Sequence, residues 1–167
     1  GVKKLLLFNG HGGQVSVMDI VARELRTRSH LLVYSASWYS LPQPDVVQAL
    51  FPPEEHRFGI HAGDVETSMM LALRPDLVDM AQAQHFHSTS QDRAAHYPIL
   101  GNGKSAKLGW QMQDYHVAGA VGNAAAATAD KGRAVVDAAA QQLVRLLQEL
   151  HDLPLATLVD GAGGLVE

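Results

Sequence analysis

The sequence predicts an α/β fold built on a parallel sheet, and three observations point to it. Two short apolar runs, residues 3–8 and 30–35, have strand composition. Between them lie a glycine-rich turn, Asn9-Gly10-His11-Gly12-Gly13, and a segment with helical apolar spacing, residues 14–27. A long amphipathic run follows much later, at residues 128–150. Strand, turn, helix and strand within the first 36 residues make a βαβ unit. Such a unit implies parallel strands joined by a right-handed crossover.

The elements can be justified in order. The first run reads as a short buried strand ended by Asn9-Gly10. In the helix that follows, Val17, Ile20, Val21, Glu24 and Leu25 place the apolar positions mostly on one face, with Arg23, Arg26 and Arg28 toward solvent or the C-terminal end. Leu31, Leu32, Val33 and Tyr34 form a second buried-strand run. Pro42, Pro44, Pro52 and Pro53 punctuate the next stretch, with one short helix at about residues 45–50. Residues 64–73 read as a helix stopped by Pro75. Residues 81–106 show no clean period and hold His85, His87 and His96, so a long irregular excursion is expected there. Thr128 can cap the last helix, whose stripe is Val135, Val136, Ala139, Leu143, Leu146, Leu147 and Leu150. Gly132 sits inside it at a modest cost. Residues 160–167 are Gly-rich and expected to be a flexible tail.

Length and composition narrow the classes. A chain of 167 residues with 47% hydrophobic residues suits a single domain, residues 1–167, with a real core. The formal charge of −4 has no long run of either sign, so a nucleic-acid footprint is not expected. The absence of cysteine excludes disulfides and thiolate metal sites and is compatible with a cytoplasmic setting. No apolar run approaches the roughly 20 residues of a membrane span, and the opening segment does not read as a signal peptide. The chain opens without Met and runs straight into a strand-like segment. A domain incomplete at its N-terminus is therefore expected.

Three segments could carry chemistry. The turn with His11 lies between a strand and the following helix, where ligands of open parallel sheets bind. Its glycines allow close backbone approach, and a neutral imidazole there can ligate a metal. A tight turn with a solvent-facing His explains the segment equally well. The second segment, His61-Ala62-Gly63-Asp64-Val65-Glu66-Thr67-Ser68, places a His, an Asp and a Glu within six residues at a helix start. Asp64 could cap the helix and Glu66 could favour its positive end. Alternatively, His61 could shuttle a proton while Glu66 acts as a base or metal ligand. The third segment, residues 119–133, is rich in small residues, and close packing of a helix start is the favoured reading over anion binding. Trp38 and Trp110 could each be pocket wall or plain core. The pair His85 and His87 reads as surface, Glu54-Glu55-His56 as exposed charge, and Met69-Met70 as core.

Taken together, the three segments resemble the creatininase (creatinine amidohydrolase) family. Its members carry Asn-Gly-His-Gly-Gly-Asn, then His-Ala-Gly-Glu-x-Glu-Thr-Ser, then Gly-Val-x-Gly-x-x-x-x-Ala-Thr-Ala-Glu-Lys-Gly. This chain has residues 9–14, 61–68 and 119–132 in that order, and the middle segment continues as MMLALRPDLVDM. The resemblance implies a three-layer α/β/α fold with a mostly parallel central sheet. By position, His11 resembles the family's metal-binding His, Glu66 its acidic residue near the metal, and His61 the His that handles protons at the scissile amide. Trp38 falls near a substrate-contacting Trp, and Asn9, Trp38, Asp64 and Trp110 are assigned to the substrate pocket. Gly13 stands where creatininase itself has a metal-binding Glu, which points to the Gly-Gly branch of the family. Asp64, Gln14 and Asn123 are mild departures.

The resemblance implies a metal-dependent amidohydrolase that cleaves a C–N bond of a small cyclic amide, formamide or creatinine-like substrate. The divalent metal would be Zn in first place, with Mn or Fe as alternatives. A homo-oligomer, often a hexamer in the family, is also implied. The family's Glu-x-His and downstream Asp have no counterpart ahead of His11. Another chain, or a further part of this one, would have to supply those ligands. The competing class is a non-catalytic or degenerate member that serves as a binding or assembly subunit.

Overall fold

The computed structural model describes residues 1–159. The expected tail at 160–167 lies outside the described residues. The chain forms two compact units, one made of Gly1–Pro42 with Ala139–Glu167, the other of Gln43–Ala138.

The first unit is built on the expected βαβ element. Strand β1 (Lys4–Asn9) pairs in parallel with β2 (Leu32–Ser37), in a register that runs from Lys4 opposite Leu32 to Asn9 opposite Ser37. Helix α1 (Val15–Ser29) makes the crossover. It ends at His30, whose φ of 50° is left-handed, the usual way to stop a helix. That turn delays β2 relative to the expectation of residues 30–35. The α/β class with a parallel sheet stands. Burial departs from expectation, however. Phe8 and Tyr34 of the strands are exposed, and α1 buries none of its residues, with Ile20 67% exposed. Two strands of six residues offer one helix too little area to cover its apolar stripe. The buried side chains of this unit include Leu32, Leu41 and Leu150.

The second unit is mainly helical. Helices α2 (Asp45–Gln48), α3 (Pro53–Phe58) and α4 (Asp64–Leu73) precede a short strand β3 (His85–Phe86) and helix α5 (Thr89–His96). Strand β4 (Gly122–Asn123) pairs antiparallel with β3, and His61 forms an isolated antiparallel bridge to Val121. Three expectations change here. Pro53 begins a helix instead of merely breaking the chain, because Pro at the first helical position has no amide hydrogen to lose. The 81–106 excursion holds α5, whose start is capped by the Ser88 hydroxyl accepting from the Ser90 amide. Met70 lies at the surface, not in the core.

Helix α6 (Ala129–Asp152) begins in this unit and ends in the other. Thr128 caps it, its hydroxyl accepting from the Lys131 amide at 3.3 Å. Val135, Ala138 and Leu150 of α6 are buried, whereas Leu147, expected in the stripe, is exposed. Val47, Phe51, Val121, Ala124 and Ala127 join Val135 and Ala138 in the core of the second unit. Each larger member contributes roughly 1.5–3 kcal/mol through burial.

Candidate functional site

In the first unit, the glycine-rich turn is organised by Asn9. This last residue of β1 is buried, and its amide nitrogen donates to Ser37 Oγ at 3.0 Å. Its Oδ1 accepts from the His11 amide at 3.1 Å and from Gln14 Nε2 at 2.6 Å. Asn9 thus spends its polar atoms on the turn and on the end of β2. His11 is exposed, and its Nδ1 accepts from the Gly13 amide at 3.2 Å. That bond puts the proton of a neutral imidazole on Nε2. Metal ligation through Nε2 would require the proton to move and the Gly13 contact to break. A β-carbon at Gly13 would stand 3.1 Å from His11 Cε1, so the ring sits tightly against this glycine. Trp38 occupies a short 3-10 turn directly after β2 and packs edge-on against Tyr39 at 5.7 Å.

In the second unit, two of the sequence motifs meet. The main chain at His61 is held by the Val121 amide, which donates to the His61 carbonyl at 2.8 Å. Ala62 then adopts φ 53°, a left-handed conformation that costs a non-glycine residue on the order of 1–3 kcal/mol. This reversal brings Glu66 back over the turn. Its Oε2 accepts from the Ala62 amide at 2.7 Å and faces His61 Nδ1 at 3.5 Å. Thr67 Oγ1 donates to the Ala62 carbonyl at 3.2 Å. The His61 and Glu66 side chains are 46% and 43% exposed, open enough to meet a solute.

Beneath that pair lies a buried polar network. Asp64 is 1% exposed and does not cap α4 with its side chain. Its Oδ2 accepts from Lys131 Nζ at 2.7 Å and its Oδ1 from Ser68 Oγ at 3.1 Å. Lys131 also donates to the Ala126 carbonyl at 2.9 Å and lies 5.3 Å from the centre of the Phe51 ring. Ser68 Oγ accepts from the Thr128 amide at 3.0 Å, which ties α4 to the start of α6. The third motif therefore packs closely, as its small residues suggested. Trp110 is exposed and packs edge-on against Tyr115, over which Arg93 lies at 5.0 Å.

Glu55 was expected among exposed charges and is instead 5% exposed. Its carboxylate accepts from the Asp64 amide at 2.7 Å and from the Asn123 amide at 2.9 Å. The glycines at 59, 63 and 122, each with no room for a β-carbon beside this carboxylate, were the sequence signal for it.

A catalytic zinc site normally takes three protein ligands. Among the described residues, no group of three or more His, Asp or Glu side chains is gathered so as to hold a metal ion. The described side chains do not by themselves form a complete catalytic metal centre.

Comparison with known proteins places this architecture. A family model for creatininase, creatinine amidohydrolase, matches residues 1–147. The chain is similar to the creatinine amidohydrolase of Pseudomonas putida, at 39% identity over 88 residues, which cover 48% of this chain and 34% of the relative. Among solved structures it resembles one described as a putative creatinine amidohydrolase from Bacteroides fragilis. There the TM-score is 0.69 and the identity 30%, over 93% of this chain and 56% of that one. A mutant creatininase of Zn-Zn type gives a TM-score of 0.64 at 25% identity, over 92% and 58% of the two chains. The chain thus spans little more than half the length of these structures. With three motifs in order, a matching fold and a family model that covers most of its length, this chain belongs to the creatininase family.

Proposed function

We propose that the protein is an amidohydrolase of the creatininase family that cleaves the C–N bond of a small cyclic amide, formamide or creatinine-like molecule. The observation that carries this reading is the His61–Glu66 pair on the left-handed Ala62 turn. With Glu66 at Nδ1, the imidazole is oriented so that Nε2 is left to exchange a proton with substrate. In this reading His61 delivers the proton to the departing nitrogen. Glu66 fixes the ring and supports its positive charge. Trp110 offers an aromatic face for a flat cyclic substrate, and Trp38 is assigned to the substrate by its family position. The buried Asn9 and Asp64 act through what they hold, the glycine-rich turn and the start of α6 respectively.

The metal dependence we propose rests on the family and on the Zn-Zn type of the similar structure. By family position, His11 in the first unit and Glu66 in the second are each assigned as a donor to a divalent metal, Zn first and Mn or Fe after it. A third ligand has to come from beyond the described groups. A bound ion would supply Lewis-acid activation of water.

The test is hydrolysis of creatinine and of small cyclic amides and formamides by the purified protein, with any co-purifying partner retained. It is run with added Zn or Mn and again after chelation. Metal-dependent release of the ring-opened product supports the reading. The lack of a three-donor group among the described residues favours a second one, a non-catalytic assembly subunit. Metal-free protein with no turnover of any of these substrates decides for that alternative.

A further inference from the structure

We propose that Glu55 is a positioning residue for the His61–Glu66 pair, an inference that rests on the proton-handling role proposed for that pair. Its carboxylate joins two backbone segments that are far apart in sequence. The Asp64 amide opens α4 immediately after the His61–Gly63 turn, and the Asn123 amide lies two residues beyond Val121, the residue bridged to His61. Both sides of the main chain that holds His61 are therefore fastened to one buried anion. Hydrogen bonds to an ionised acceptor are roughly twice as strong as neutral ones. The space around the carboxylate is built for it. A β-carbon at Gly59 would stand 2.3 Å from Glu55 Oε1, one at Gly63 2.2 Å, and one at Gly122 2.7 Å. Gly63 and Gly122 flank the two anchoring amides. The carboxylate bonds to main-chain amides, so it acts on His61 and Glu66 through the backbone.

The experiment uses the full chain labelled with ¹⁵N and reads the ring nitrogens of His61, assigned by their loss in His61→Gln. In the unaltered protein the proton should favour Nδ1, facing Glu66. Glu66→Gln should remove that preference. Glu55→Gln puts an amide NH₂ against one of two N–H donors, and Glu55→Asp shortens the reach so that both amides cannot be held. Each should shift the His61 ring signals toward those of Glu66→Gln while circular dichroism still reports a folded chain. If Glu66→Gln alters the ring and both folded Glu55 variants leave it as in the unaltered protein, the positioning role is overturned and the His61–Glu66 reading survives. If Glu66→Gln also leaves the ring unaltered, both fall. Should neither Glu55 variant fold, amide exchange in the unaltered protein decides. Protected amides at Asp64 and Asn123 support the clamp, and exchange at the rate of a free peptide overturns it.

Discussion

The α-carbon of Gly132 lies against the main chain of Ser68, so closely that a β-carbon there would stand 1.8 Å from the Ser68 carbonyl oxygen. Helix propensity alone would favour alanine in α6 by about 1 kcal/mol. The obstacle is a backbone carbonyl, which cannot swing aside as a side chain can. Gly132→Ala is therefore expected to destabilise the protein by roughly 1–3 kcal/mol. The check is the midpoint of denaturant unfolding. A neutral or stabilising substitution would mean that α4 and α6 are free to separate.

Lys131 supplies the cation for a carboxylate that is almost wholly buried. Lys131→Met leaves Asp64 charged and uncompensated, and should cost about 3–5 kcal/mol. Replacing both partners, with Asp64→Leu added, should recover much of that loss, because no buried charge then remains. Unfolding curves for the two single variants and the double variant give the coupling directly.

Asp76 and Arg74 form an exposed pair through two hydrogen bonds, at 2.9 and 2.7 Å. The Arg74 guanidinium holds the Asp76 carboxyl below its ordinary range, and Asp76 in turn raises Arg74. A depressed folded-state value means that any stability from Asp76 is present above the ordinary carboxylate range. It is lost as pH falls through the depressed value. Full exposure makes the effect small and salt-sensitive. An NMR titration of the Asp76 carboxyl should show the depression at low salt and a smaller one at high salt.

How far the sequence revealed this structure depended on how local each cause was. Helix α4 was legible at both ends, because Asp64 and Glu66 suit its first turn and Pro75 follows its last, although Asp64 does not cap it with its side chain. The βαβ element was legible because its signals are apolar runs separated by a glycine turn. The exposure of α1 was not, since an amphipathic pattern states which face is apolar and not what covers it. Helix α5 is nearly all polar, so it offered no period to read. The burial of Glu55 was hidden for a different reason. Its partners are amides at residues 64 and 123, so the glycines that make room for the carboxylate are its mark in the sequence, and they do not say which acid they surround. The closeness of His61 and Glu66 likewise depends on one left-handed residue, Ala62, a conformation that composition alone does not reveal.

The most direct test of the account is kcat/KM of the protein, with divalent metal added and any co-purifying partner retained, for the best small-amide substrate in His61→Ala and Glu66→Gln. General acid–base catalysis by a positioned side chain is worth about 10²–10⁴-fold. His61→Ala should lose an amount in that range through kcat with KM little altered, and Glu66→Gln a smaller part of it. Turnover unchanged in His61→Ala, in a folded protein that hydrolyses the substrate, would contradict the assignment of proton transfer to this pair.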